Sequence, residues 1–332
     1  MSDSTTAVDR ELPTSFEALE PYRRELTGYC YRMLGSPFEA EDAVQEALTR
    51  AWKALDRFEG RSSLRSWLYR IATNVCLDAS ERRGKRALPV DLGPASPYNG
   101  ALGAPLPEST WVLPSPTSRL VDVGGDPGDQ AATRETIRLA FIAALQHLPP
   151  RQRAVLILRE VLRWEASEVA ALLESTVASV NSALQRARAT LAERNLDPES
   201  VDEGLDAASQ QLLERYEDAF LRYDIEALVA LLHEDATLTM PPFAFWVHGA
   251  EEAGKFWNEP GPRLCENSRL VPVDVNGRRG YAQYKPSPDG DGHRAWALQV
   301  LDVVDGRIAR IDYFLDTPTV FPLFDLPLTY EG

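Results

Sequence analysis

Between Asp42 and Arg86 the chain carries two stretches in which apolar side chains recur every three or four residues, and that spacing commits both to helices with one buried face. The first aligns Ala40, Ala43, Val44, Ala47, Leu48, Ala51, Trp52 and Leu55, and the second aligns Leu64, Leu68, Ile71, Ala72, Val75 and Ala79, the spacing of helices packed in a bundle. Phe58-Glu-Gly-Arg-Ser-Ser63 joins them, and Arg82, Arg83, Lys85 and Arg86 follow. The outward face of the second helix presents Arg65, Tyr69, Arg70, Thr73 and Asn74, with Trp67 near its start. Aromatic, basic and amide groups together suit unstacked bases on a phosphate backbone.

A nucleic-acid ligand sits oddly with a formal charge of −15, so the distribution of charge matters more than its sum. Residues 1–200 hold 24 Lys and Arg against 27 Asp and Glu, whereas residues 201–332 hold 11 against 23. The acid is concentrated in the C-terminal part, which phosphates repel. At 332 residues, 44% of them hydrophobic, the chain is long enough for two or three compact units. Cys30, Cys76 and Cys265 are widely spaced without a CxxC pair, so neither a disulfide framework nor a metal site is expected, and all three read as small buried or semi-buried side chains in a reducing cytoplasm. The N-terminal MSDSTTAVDRELP lacks the apolar run of a signal peptide, and no stretch reaches the roughly 18 apolar residues of a membrane span. A cytoplasmic protein without a membrane partner is expected.

Residues 1–13 read as disordered. A helical pattern then starts near Phe16, with Leu19, Tyr22, Leu26, Tyr29, Cys30, Met33 and Leu34 on one face, and Gly35-Ser36-Pro37 ends it, so that residues 14–86 form a first helical domain. Residues 87–130, rich in Pro, Gly and Ser, read as a linker. Within it Trp111-Val-Leu-Pro-Ser-Pro116 is either a docking peptide or a cap on the edge of a neighbouring domain. Helical pattern returns over 131–196, where Glu165–Leu173, a short turn and Val177–Leu191 make a helix-turn-helix. The outward face of its second helix carries Ser179, Asn181, Ser182, Gln185, Arg186 and Arg188, side chains suited to base edges and phosphates in a major groove. Over 205–326, helices give way to strand-like runs, with Asp305-Gly306 as a hairpin turn. That order predicts an α+β domain with a curved antiparallel sheet.

The runs DAVQEALTRAW and RFEGRSSLRSWLYRIATN, with the basic tail after them, resemble region 2 of extracytoplasmic-function sigma factors, and LPPRQRAVLILRE with the helix-turn-helix resembles their region 4. The resemblance implies two all-α domains, no cofactor, and two partners: core RNA polymerase, through its β′ and β subunits, and promoter DNA. It assigns Asp42, Gln45, Glu46, Thr49, Arg50 and Lys53 to docking on the β′ coiled coil. Phe58, Gly60, Arg61, Ser62, Ser63, Trp67, Arg70 and Asn74 would capture flipped bases of the −10 element, with Trp67 suited equally to core and contact. Arg82, Arg83, Lys85 and Arg86 would hold phosphates. Ser179, Asn181, Ser182, Gln185, Arg186 and Arg188 would read the −35 element. Glu174 departs from the family by standing in the turn where glycine is common, which implies a wider or shifted turn.

HEDATLTMPPFAFWVHGAEEAGKFW and VVDGRIARIDYFLD resemble SnoaL-like domains of the NTF2-like fold, a cone built on a curved sheet. A subset of these sigma factors, mycobacterial types among them, carries such an extension as a built-in regulator. Their linker motif is similar to Trp111–Pro116, and their glycine-rich motif is represented at best by Asn276-Gly-Arg-Arg-Gly280. Enzymes of the fold use acid–base residues inside the cone, for which His233, Asp235, Trp246, His248, Tyr281, Tyr284, Trp296 and Asp312 are available, but no pair has a spacing that identifies a reaction. The expected function is therefore non-enzymatic transcription initiation. A small-molecule ligand in the cone stays open, as does the alternative of a ligand-sensing helix-turn-helix regulator or a DNA-binding fusion of a SnoaL-type enzyme.

Overall fold

The computed structural model describes residues 15–121, 134–192 and 207–331, apart from 264, 289 and 291. The terminus at 1–13, the linker's end at 122–130, and residues 131–133, 193–196 and 205–206 at the margins of the later domains lie outside the described residues.

Two 3-10 turns, Phe16–Ala18 and Glu20–Tyr22, lead into α1 (Arg23–Leu34). Gly35 ends α1 in the left-handed region at φ 74°, where a side chain is strained, and Ser36 with Pro37 opens α2 (Pro37–Ala54). Ser63 caps α3 (Leu64–Arg82) by accepting from the Ser66 N–H. The expected face of α2 is buried with one departure: Trp52 is 47% exposed and stands edge-on to Phe16.

The stretch after Arg86 is no free tether as far as residue 121. Ala87 bridges Trp111 as two parallel strands would, Leu113 N–H donates to the Gly35 carbonyl, and Pro116 bridges Val275. Trp111 is 1% exposed, with its indole N–H directed at the Leu106 carbonyl, so in this arrangement its side chain is packed within the chain. A short helix, α4 (Thr117–Leu120), lies on α1. This segment shows no periodicity because its hydrogen bonds are divided between distant positions of its own, such as Ala87 with Thr110 and Val112, and other parts of the chain, Gly35, Trp246 and Asn276 among them.

The second helical unit holds α5 (Leu139–Gln146), α6 (Pro150–Leu156) continuing as a wider π turn over Ile157–Val161, α7 (Ala166–Leu172) and α8 (Val177–Ala192). The turn between α7 and α8 keeps ordinary length. Glu174 itself takes the left-handed conformation at φ 49°, and the Ser175 and Glu174 N–H groups return to the Ala170 and Ala171 carbonyls, as in a glycine-ended helix. Two guanidiniums tie this unit to the first. Arg153 donates to the Met33 carbonyl and to Gln146, and Arg32 donates to the Thr136 hydroxyl at 2.7 Å and to its carbonyl. Burial brings both down to about 10, so they stay charged at neutral pH.

The C-terminal domain begins with α9 (Ala207–Leu221) and α10 (Ile225–Leu231). Its strands are β1 (Leu232–Thr239), β2 (Trp246–His248), β3 (Arg269–Val275), β4 (Arg278–Pro286), β5 (His293–Val304), β6 (Arg307–Phe314) and β7 (Thr329–Tyr330). Their order is β2-β1-β6-β5-β4-β3, with β7 on β5. The sheet is mixed rather than wholly antiparallel, because β1 runs parallel to β6. Asp305-Gly306 turns β5 into β6 with both residues at positive φ, as expected. Along the strands the faces alternate. Ala282, Tyr284, Leu298 and Phe314 join the apolar cluster of the helical units, whereas Tyr281, Ala297, Leu301 and Tyr313 close a second core with α9, α10 and α11 (Ala250–Trp257).

The turn between β3 and β4, Asn276-Gly277, enters the meeting point of all three units. Asn276 is fully buried. Its backbone N–H donates to the Ser115 carbonyl and its Oδ1 accepts from Ser115 N–H at 2.9 Å, while its Nδ2 donates to Tyr31 Oη at 2.8 Å and to the Ile137 carbonyl at 2.7 Å. Gly277 has φ 75°, and a Cβ there would stand 2.8 Å from the Arg134 carbonyl oxygen. Beside this turn Arg138 holds Asp302 and Glu135, and Arg278 holds Glu135. Burial pushes the Asp302 carboxyl up, but Arg138 and Arg310 pull harder and leave it below its ordinary value.

Replacing Asn276 with Ala strands buried groups in all three units and should cost about 2–3 kcal/mol; thermal unfolding of the full chain measures this. Glu174→Gly relieves left-handed strain of about 1 kcal/mol against a smaller entropic loss. Its melting temperature should therefore equal or exceed that of the parent, and a clear fall would contradict the turn geometry.

Candidate nucleic-acid interface

On α2, Asp42, Gln45, Glu46, Arg50 and Lys53 are exposed and Thr49 is partly buried, so the six lie on the side away from the bundle core. Arg50 donates to Glu46 at 2.7 Å and also faces Asp78 of α3, which fixes its fork along the helix.

The side chains expected to meet −10 bases divide into two groups. Gly60, Arg61, Ser62, Ser63, Arg70 and Asn74 are exposed, with Arg61 paired to Glu59 and Gly60 at φ 67°. Phe58 is partly buried against Trp67, ring centroids 5.0 Å apart, and Trp67 is 8% exposed, so its indole belongs to the core more than to a free surface. Tyr69 and Thr73 are also not outward. Both are fully buried, because α1 covers one side through Tyr29, whose hydroxyl bonds Thr73, and the second helical unit covers the other through Trp164. The Arg65 guanidinium lies over the rings of both Tyr69 and Trp164 and donates to Glu25 at 2.8 Å.

The basic tail divides as well. Arg82 and Lys85 are exposed and Arg83 pairs with Glu39. Arg86 is 4% exposed, held by Glu39 at 2.7 Å, by Glu108 and by the Trp111 carbonyl. Its expected phosphate contact is therefore corrected for this arrangement: a guanidinium with these partners is a structural tie between α2 and the segment that follows α3.

The face of α8 is the open one. Ser179, Asn181, Ser182, Gln185, Arg186 and Arg188 are all exposed, with Arg188 paired to Glu160 at 2.8 Å, while Val180, Leu184, Ala187 and Leu191 are buried against α6 and α7. A helix so supported presents amides, hydroxyls and guanidiniums at the spacing of a groove-reading element.

Sequence reasoning missed Trp164 and Glu39. Trp164 follows the π turn and falls outside any helical period, while Glu39 looks like an ordinary first-turn carboxylate. In the C-terminal domain the acid–base candidates do not converge. His248 and Asp235 lie 3.9 Å apart at the surface, His233 bonds the Asp235 N–H beside them, and Trp246 donates to the Gly93 carbonyl. Tyr281 and Tyr284 donate to the Leu213 and Pro327 carbonyls, and Asp312 is buried against Thr239 and Arg310. Of these candidates, only Trp296 lines the domain's cavity. Among the described residues, no cluster of three or more His, Cys, Asp or Glu is arranged to hold a metal, and no helix is long and apolar enough to cross a membrane.

Comparison with known proteins matches residues 18–86 to sigma-70 region 2, residues 138–191 to sigma-70 region 4, and residues 213–311 to the SnoaL-like domain. The chain is 45% identical over 317 residues to the ECF RNA polymerase sigma factor SigG of Mycobacterium tuberculosis, covering 93% of this chain and 82% of the relative. It is 28% identical over 310 residues to SigJ of the same organism, covering 90% of this chain and 89% of that one. The crystal structure of SigJ superposes with a TM-score of 0.60 over 95% of this chain and 100% of the other at 23% identity, a likeness of fold. With two helical units in this order, an exposed helix-turn-helix face and a relative 45% identical over 93% of this chain, the chain belongs to the extracytoplasmic-function RNA polymerase sigma factors, in the form that carries a SnoaL-like extension.

Proposed function

We propose that the protein joins core RNA polymerase in the cytoplasm through the outward face of α2 on the β′ subunit, with region 4 meeting the β subunit. In this reading it initiates transcription without itself being an enzyme. The α8 face reads the −35 element, and Phe58 to Asn74 with Arg82, Arg83 and Lys85 engages the −10 element. The observation that carries the reading is the unequal availability of the two DNA faces. All six α8 side chains are exposed, whereas Tyr69 of α3 is closed under Trp164 and Arg86 is held by Glu39 and the linker. A chain in this state recognises half a promoter, and the SnoaL-like extension acts as the regulator by holding the joint at Asn276. Nothing favours a regulator that never meets polymerase, because such a protein has no use for a region 2.

Transcription in vitro with core polymerase and the full chain tests this. Gln185→Ala with Arg186→Ala should lower initiation by about 10- to 100-fold, the loss of one or two groove contacts. Asn276→Ala, which loosens the joint, should raise it. Absence of promoter-dependent transcripts from both the parent chain and Asn276→Ala would overturn the assignment.

A further inference from the structure

The outward face of α8 is polar along most of its length and apolar at its start. At 3.6 residues per turn, the buried Val180, Leu184, Ala187 and Leu191 fix one side of the helix, and Ala178, Ser182, Gln185 and Ala189 run down the opposite side. From the second turn onward Asn181, Ser182, Gln185, Arg186 and Arg188 are exposed, and each carries a hydrogen-bonding group. The first turn differs. Val177 is 44% exposed, the one large apolar side chain left so among the described residues of the second helical unit, and Ala178 beside it is exposed as well. Thr176, just before them, gives its hydroxyl oxygen to the cap by accepting from the Ser179 N–H at 3.1 Å. Ser179 itself lies on the other flank, about 200° around the axis from Val177.

What an apolar tip can meet in DNA is limited. In a helix-turn-helix the N-terminal residues of the second helix enter the major groove and reach base edges. Those edges carry a donor or an acceptor at every base pair, and a single apolar group, the 5-methyl of thymine. A valine set against any other edge would desolvate a polar atom without bonding it. Gln185 stands eight residues further along α8, about 12 Å down the axis, so the tip meets a base pair of its own.

We propose that Val177, with Ala178 beside it, packs on the 5-methyl group of a thymine in the −35 element and selects thymine over cytosine at that position. The assignment rests on the promoter reading and deepens it. The polar side chains of α8 set the register of the helix in the groove, and the apolar tip adds a base choice that needs no hydrogen bond. Uracil pairs as thymine does and lacks only the methyl group, so the contact can be removed from the DNA side alone.

The full chain bound to core RNA polymerase, given a library of duplexes randomised upstream of the start site, first yields the −35 sequence it enriches. Each thymine of that sequence, on either strand, is then replaced by deoxyuridine. With the parent chain at least one replacement should weaken binding about fourfold, the loss of one methyl group from an apolar contact. Val177→Ser should bind the thymine and deoxyuridine duplexes equally at that position, and Val177→Ile should keep the parent's preference. Val177→Ala, a better helix former, should reduce the preference and stands in if Val177→Ser does not fold. An enriched −35 sequence in which no replacement weakens the parent chain would overturn the assignment and leave the promoter reading standing. So would a methyl dependence that persists undiminished in Val177→Ser or Val177→Ala. Absence of any enriched −35 sequence would overturn both.

Discussion

One buried amide fixes how the three units of this chain meet. Asn276 has its side-chain oxygen and both of its amide protons committed to groups that belong to α1, to the segment before α4 and to the approach to α5. A buried polar group left unpaired costs more than a paired one contributes, so such a joint is directional in a way that an apolar contact is not. Sliding the C-terminal domain across the helical units would keep much of the apolar burial and lose all these bonds. The left-handed Asn-Gly turn is what lets the amide reach so far, because Gly277 passes where a Cβ would meet the Arg134 carbonyl.

The two helical ties work by related chemistry. Arg32 and Arg153 are buried, yet the partners they hold here are neutral oxygens rather than carboxylates: backbone carbonyls, a side-chain amide and a hydroxyl. Carbonyls at a helix C-terminus carry partial negative charge and otherwise lack partners, so the Met33 carbonyl near the end of α1 is a natural seat for a guanidinium from the second unit. Around the C-terminal domain the ties are ionic instead, with Arg138 and Arg278 meeting Asp302 and Glu135. Much of the acidic excess of that domain faces solvent, but at this joint its Asp302, with Glu135 of the second helical unit, is a ligand for arginines.

Much of the helical architecture is legible in the sequence because it is local. The apolar periods of α2, α3 and α8, the Gly35-Ser36-Pro37 break and the Asp305-Gly306 turn each depend on residues within a few positions of one another. What the sequence hides is set by partners far along the chain. Tyr69 and Thr73 read as outward because nothing near them announces that Trp164 will lie over the helix. Arg86 reads as a phosphate ligand because Glu39 and Glu108 stand 47 and 22 residues away. The parallel pairing of β1 with β6 is hidden for the same reason, since alternation reveals a strand but not its neighbour's direction. Glu174 is the opposite case. Its departure from glycine is plain in the sequence, and the backbone keeps the glycine geometry regardless.

The contact of Tyr69 with Trp164, with the Arg65 guanidinium over both rings, lies between the helix with the expected −10 role and the unit that carries the expected −35 helix. Contacts of this kind contribute about 0.5–1.5 kcal/mol each beyond the area they bury, and the buried guanidinium ties add to them. A partner that needs the two units apart binds a minor population, and its apparent affinity falls by the fraction open. Turning a 1:99 mixture into 99:1 takes about 5.5 kcal/mol of preferential binding. The joint then behaves as a threshold: the partner's concentration has to supply the opening energy before promoter sequence begins to matter.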